Sequence, residues 1–248
     1  MHELSNVEHL PPQVLRRVRP MVQELIELHG ENIRSVFIYG SAAHQGYVPG
    51  VSDINLAVVF GRLDFGVFKK SLQCVTKAIP RKIAAPLFLT EEYIAASLDV
   101  FPIEFWDMQE QHVVVYGEDF LSSLTIQGEH VRLFCEQQIK GRLIRIRQAY
   151  LEVGLHSKGM LTLMTESLTS LLPVFRNLLR LRSVPCALDK TEILARLGKE
   201  FDLDSGVALT IYRHKTGREK IEKQQVPQVL EKYIDFMGKL AERVDRLS

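Results

Sequence analysis

One stretch of this 248-residue chain combines residue types that serve phosphate and metal chemistry. Tyr39-Gly40-Ser41 closes a short apolar run, eleven residues intervene, and Asp53-Ile54-Asn55-Leu56 opens the next run. Residues two apart in a strand point to the same side, so this spacing projects Asp53 and Asn55 together and turns Ile54 and Leu56 toward a core. Gly40 lets the backbone turn and approach a ligand, and Ser41 with the amides after it offers donors at a helix start, suited to a phosphate. A further acid, Glu104, lies between Ile103 and Phe105 in a run from Phe101 to Met108 that reads as a strand. If that strand lies beside the first two, Glu104 completes an oxygen cluster. Each residue also has a plainer reading: Asp53 and Asn55 as turn residues bonded to their own backbone, Ser41 as a helix cap, Glu104 as a solvent-facing edge residue.

The elements that must position these groups follow from hydrophobic periodicity. Pro11 and Pro12 open a helix that Pro20 is expected to kink or split and Gly30 to end. Ser35–Tyr39, Ile54–Phe60, Ala85–Leu89 and His112–Tyr116 read as further strands. Phe65, Phe68, Leu72, Val75 and Ile79 mark a helix that stops at Pro80, and Thr90 is placed to cap a short one. After Gly128 the strand signals disappear. Stripes at Ile139–Val153, Leu161–Leu178 and Leu230–Leu247, with shorter helices near Thr191 and Ser205, predict a bundle of four to five helices. The expected fold class is α+β, with a mixed sheet and flanking helices over 1–125 and a helical bundle over 126–248.

Composition agrees with an ordinary globular protein, at 46% apolar and 25% charged residues, and excludes disordered and collagen-like classes. No run of apolar residues is long enough for a membrane span and the start lacks a signal-peptide pattern, so a cytoplasmic location is expected. Cys74, Cys135 and Cys186 are widely spaced, and reduced, mostly buried thiols are expected. Residues 1–129 carry 10 basic and 16 acidic side chains, and residues 130–248 carry 21 and 14. That split suits an acidic site for cations beside a basic wall for an anion, or simply solvated basic helix faces.

In order and gap, these residues resemble the nucleotidyltransferase superfamily with the DNA polymerase beta-like fold, which includes the aminoglycoside nucleotidyltransferases. The family pattern is an apolar residue, Gly, then Ser or Gly, a short gap, two carboxylates separated by one apolar residue, and a third carboxylate on a later strand. The match covers about residues 34–120 by motif and the remainder by architecture. The resemblance implies transfer of a nucleoside monophosphate from a nucleoside triphosphate to an acceptor hydroxyl on a small molecule or protein, with pyrophosphate leaving. It implies Mg2+ held by Asp53, Asn55 and Glu104, with Asp53 and Glu104 as the catalytic carboxylates and Gly40 and Ser41 on the nucleotide.

The departure is Asn55, which stands where the family's second carboxylate belongs. A unit charge a few ångströms from a divalent ion is worth several kcal/mol at an effective dielectric of about 20, so its loss favours one ion over two. The alternative is therefore a catalytically impaired relative that binds a nucleotide or serves as an interaction module. Asp99 and Asp107 are the nearest compensating acids in sequence. Arg176 and Arg180, four apart on one helix face, are candidates for the triphosphate tail or simply solvated arginines. Lys140, Arg142, Arg145 and Arg147 spread around their helix with no aromatic platform, and no nucleic-acid-binding motif accompanies them. His44, just after Gly40-Ser41, is either near the nucleotide or an exposed loop residue.

Overall fold

The computed structural model describes residues 4–43, 47–49, 52–153, 156–185 and 189–247. His44 and Cys186 lie outside them; Cys74 and Cys135 are buried. The chain divides into two compact units, Met1–Ile126 and Gln127–Ser248.

The first unit is a four-stranded mixed sheet between helices. Its strands are β1 (Ile33–Tyr39), β2 (Asn55–Phe60), β3 (Leu87–Thr90) and β4 (His112–Gly117), in the order β3-β2-β1-β4. β1 pairs antiparallel with β2 and β4, and β2 pairs parallel with β3. The strands are rich in Val, Ile and Phe because both faces are covered. Val36, Ile38, Ile54, Leu56, Val58 and Phe60 join one core cluster with α1 (Pro12–His29) and α2 (Phe65–Ala78). Phe37, Ala57, Val59 and Val114 join the other with α3 (Glu91–Ala96) and α4 (Pro102–Glu110).

Local chemistry sets the helix ends. Asp64 accepts from the Gly66 and Val67 amides at the start of α2, and Thr90 accepts from the Tyr93 amide at the start of α3, as its position predicts. α1 continues through Pro20 as one helix. Gly117 ends β4 at φ +78°, where a Cβ would lie 1.9 Å from the Arg34 carbonyl oxygen, so no other residue fits without moving β1.

One expected strand is a helix. Phe101–Met108 alternates apolar and polar over Ile103-Glu104-Phe105, yet the segment forms α4. Pro102 sits in its first turn with a fixed φ suited to helix, Glu104 is also in that turn, and the Phe105 amide donates to the Phe101 carbonyl at 3.1 Å. Phe105 and Met108, three apart, supply the buried contacts.

Among the described residues, the second unit holds five helices: α5 (Gly128–Val153), α6 (Ser157–Leu181), α7 (Lys190–Glu200), α8 (Gly206–Lys215) and α9 (Val226–Asp245). α6 touches each of the other four, which is why its buried residues extend well beyond one narrow stripe. Ser167 and Tyr233 bond through their hydroxyls at 3.1 Å within this core, so the buried phenol has a partner. Among the described residues, no helix is long and apolar enough to cross a membrane.

Candidate functional site

Of the expected site residues, Gly40, Ser41 and Asn55 lie where β1 ends. Tyr39 pairs across the sheet with Asn55 on one side and His112 on the other, and the chain then turns at Gly40, φ +73°, into a short 3-10 turn over Gly40–Ala43. Asn55 lies directly against that turn: a Cβ on Gly40 would be 3.5 Å from the Asn55 Nδ2. The Gly40 amide is already engaged, donating to the Gln111 carbonyl at 2.9 Å just beyond the end of α4. Among the described residues, the donors this corner could offer a ligand therefore begin with the Ser41 amide and hydroxyl rather than with Gly40. Burial pushes the Tyr39 phenol above its ordinary range.

Asp53 precedes β2 and is exposed, whereas Asn55 is half-buried and Ile54 and Leu56 are in the core. Beside them runs the chain leading into β3. Ile54 and Ile83 form a parallel bridge, the Ile54 amide donates to the Lys82 carbonyl at 2.8 Å, and the Ala84 amide donates to the Ile54 carbonyl at 3.0 Å. This pairing places Lys82 next to Asp53, with Nζ 3.8 Å from Oδ1. Lys82 is a residue that sequence reasoning missed. Its only signal was a basic pair, Arg81-Lys82, after a helix end, and the strand register that gives it meaning depends on long-range pairing. Gln111 was missed because it acts through its backbone.

Glu104 is not beside these groups on a strand. It lies in the first turn of α4, which packs on the sheet face toward which Phe37, Ala57 and Val59 point. Gln111 lies seven positions further along, which at 1.5 Å per residue is about 10 Å along the helix. Burial, followed by the nearby Asp107 charge, raises its carboxyl above the usual range despite a backbone hydrogen bond that works the other way. None of the four strands contains an Asp or Glu. Among the described residues, no three His, Cys, Asp or Glu side chains gather in a way that would hold a metal.

That donor set does not fit a two-ion centre. The corner supplies one carboxylate, one neutral amide and an adjacent ammonium, which brings no net negative charge to hold two dications together. It does fit a single Mg2+ ion delivered on a triphosphate, since Mg2+ is commonly held by one or two carboxylates together with phosphate oxygens.

Arg176 and Arg180 belong to α6. Arg180 is 7% exposed and donates to the Asn177 Oδ1 at 2.9 Å, while Arg176 is half-buried, so neither is a freely solvated arginine. Lys140 on α5 is bonded to Glu136 and Asp245, which neutralises part of that helix's basic character.

The α+β sheet unit followed by a helical unit resembles a nucleotidyltransferase fold. A solved structure that shares it is the spectinomycin adenyltransferase AAD(9) from Enterococcus faecialis, crystallised with ATP and spectinomycin. The two are 13% identical, with a TM-score of 0.52 over 94% of this chain and 99% of that one. At that identity the likeness is one of fold. No family model and no curated protein matches the sequence.

Proposed function

We propose that this chain is a nucleotide-binding protein on a nucleotidyltransferase fold, without two-ion transfer chemistry. The Ser41 end of the Gly40–Ala43 turn takes the triphosphate tail, and Lys82 supplies a fixed positive charge beside it. The observation that carries this reading is the Lys82 ammonium 3.8 Å from Asp53, in a sheet whose strands carry no acid. Both side chains are more than half exposed, so the pair is worth at most ~1 kcal/mol and exchanges readily: Lys82 to a phosphate, Asp53 to a cation. Asp53 and the Asn55 amide oxygen would hold a single Mg2+ ion, which when bound neutralises part of the phosphate charge. The side chain of Asn55 against Gly40 fixes the floor on which the phosphates rest.

Titration calorimetry with ATP tests this, with and without Mg2+. Binding is expected in both conditions, tighter with the metal, and greatly weakened in Lys82→Glu; no ATP binding in either condition would overturn the reading. A second reading, an active transferase, is favoured by one observation: the raised Glu104 carboxyl sits on the helix that covers the Asp53–Asn55 face, as a general base should. Under it, ATP with a hydroxylated acceptor such as spectinomycin would release pyrophosphate, and Glu104→Gln would stop the release.

A further inference from the structure

One buried ring ties the end of α4 to the loop after β4. α4 ends at Glu110, and a helix end leaves carbonyls without intrahelical partners. His112, the first residue of β4, turns its ring back onto that end, with Nδ1 3.1 Å from the Gln109 carbonyl oxygen. Nε2 lies 3.0 Å from Oδ1 of Asp119. Both partners are acceptors, so the ring donates at each end and bridges the helix to the loop. Its side chain is 9% exposed and stands edge-on to Phe37, with ring centroids 6.0 Å apart.

Both ends of that bridge are themselves held. Asp119 Oδ1 also accepts from the Leu121 and Ser122 amides at 3.1 and 3.0 Å, which fixes the carboxylate in place. Gln109 Nε2 donates to the Leu121 and Leu124 carbonyls at 2.9 Å each, and Leu121 is buried in the core on the α4 side of the sheet. Gln109 and His112 are thus anchored on either side of Gln111. Gln111 is the residue whose carbonyl accepts from the Gly40 amide at 2.9 Å. His112 also pairs across the sheet with Tyr39, which immediately precedes Gly40. The ring therefore braces the Gly40–Ala43 turn from behind.

We propose that His112 is a positioning residue for the triphosphate. Its bond to Gln109 seats the last turn of α4, so that the Gln111 carbonyl keeps the Gly40–Ala43 turn in one shape with the Ser41 amide and hydroxyl presented to the ligand. The role rests on the nucleotide-binding reading of that corner. A turn ordered before binding loses little further backbone freedom when a phosphate arrives. Without the ring, about one residue's worth of backbone must be ordered on binding, which lowers affinity about tenfold. The two bonds of the ring have separate effects: the one to Gln109 governs the corner, and the one to Asp119 fastens the loop and contributes to stability alone.

Two amide variants separate these bonds. The amide nitrogen of Asn stands as many bonds from Cβ as the ring's Nδ1, and that of Gln as many as Nε2, so His112→Asn keeps the bond to Gln109 and His112→Gln keeps the bond to Asp119. Calorimetric titration of the full chain with ATP and Mg2+, paired with thermal melts, reads affinity and stability side by side. His112→Asn is expected to melt lower than wild type yet bind ATP within about twofold of it, whereas His112→Gln binds about tenfold more weakly. His9→Asn, at an exposed histidine that borders the same small cavity and contacts Glu8, should match wild type in affinity. Wild-type affinity in His112→Gln overturns the proposal and leaves the nucleotide reading standing. So does an affinity that simply follows the melting temperature through both variants, the behaviour of a purely structural residue. Should His112→Gln not fold, His112→Asn decides alone: retained affinity in a less stable protein supports the role, and a tenfold loss overturns it. A wild type that binds no ATP removes the nucleotide reading and the role of His112 with it.

Discussion

Replacing Lys82 by Gly should separate folding from ligand binding. Lys82 sits at φ +64°, where a side chain other than Gly costs about 1–2 kcal/mol. Gly removes that strain and gives back ~0.5–1 kcal/mol through the entropy of the unfolded chain. The substitution also deletes the contact with Asp53, 3.8 Å between side chains that are 51% and 60% exposed, which is worth ~0.2–1 kcal/mol. The backbone bonds of residue 82, to the Ile79 carbonyl at 3.0 Å and from the Ile54 amide at 2.8 Å, need no side chain and survive. These terms oppose one another, so stability should stay within about 1 kcal/mol of wild type and the melting temperature should move by a few degrees at most. Triphosphate affinity has no such compensation. One positive charge within ~4 Å of a phosphate oxygen contributes between ~1 kcal/mol in bulk water and ~4 at an effective dielectric of 20. Its removal should therefore weaken ATP about tenfold or more. Calorimetric titration with ATP, paired with thermal melts of the free protein, reads both quantities. Unchanged affinity in a normally folded variant would refute the role given to Lys82, and a collapse in melting temperature would show that its side chain holds the fold.

Asn55→Asp places a second carboxylate two residues from Asp53 and should tighten Mg2+ at least tenfold, measured by metal titration in the presence of ATP; no gain would mean that Asp53 and residue 55 do not share a cation. Glu104 has a raised carboxyl in the fold, so the stability linked to it is present below its ordinary 4.5 and is lost as pH rises through the folded value. Glu104→Gln should accordingly melt higher than wild type at neutral pH and no higher near about pH 4. Asp119 has the opposite sign. Burial would raise it but is outweighed by hydrogen bonds from the Ser122 side chain and amide and by His112, and the net shift is downward. Its contribution is present above the ordinary 3.8 and is lost as pH falls through the depressed value, so Asp119→Asn should lower the melting temperature at neutral pH, with the gap closing in acid. Gly117→Ala should cost far more than Gly40→Ala in a denaturant titration, because the first drives a Cβ to 1.9 Å from a backbone oxygen and the second leaves 3.5 Å to a side chain.

The α+β class was legible because its signals are local. Apolar runs bounded by Gly and Pro located β1, β2 and β4 to within a residue or two, and the change from period two to period 3.6 after Gly128 located the helical unit. Ile103-Glu104-Phe105 misled because three alternating residues fit a strand as readily as one helical turn, and Pro102 with an acid in the first turn was the stronger signal. α2 is a different case. Its stripe marks the helix correctly, yet the face it buries uses Ser71, Cys74 and Ala78, small residues that an apolar count passes over. The Gly40–Asn55 contact follows from the Tyr39–Asn55 pairing in the strand register, whereas Lys82 comes beside Asp53 only through the Ile54–Ile83 bridge, which no local pattern encodes.

The bond from the Gly40 amide to the Gln111 carbonyl makes the corner a latch. Any phosphate that takes the Gly40 hydrogen must displace the tail end of α4, the helix that bears Glu104 and Asp107. A ligand reaching past Ser41 to Gly40 would thereby be linked to how firmly that helix is seated, and faster deuterium uptake at Gly40 on its binding would report the latch opening.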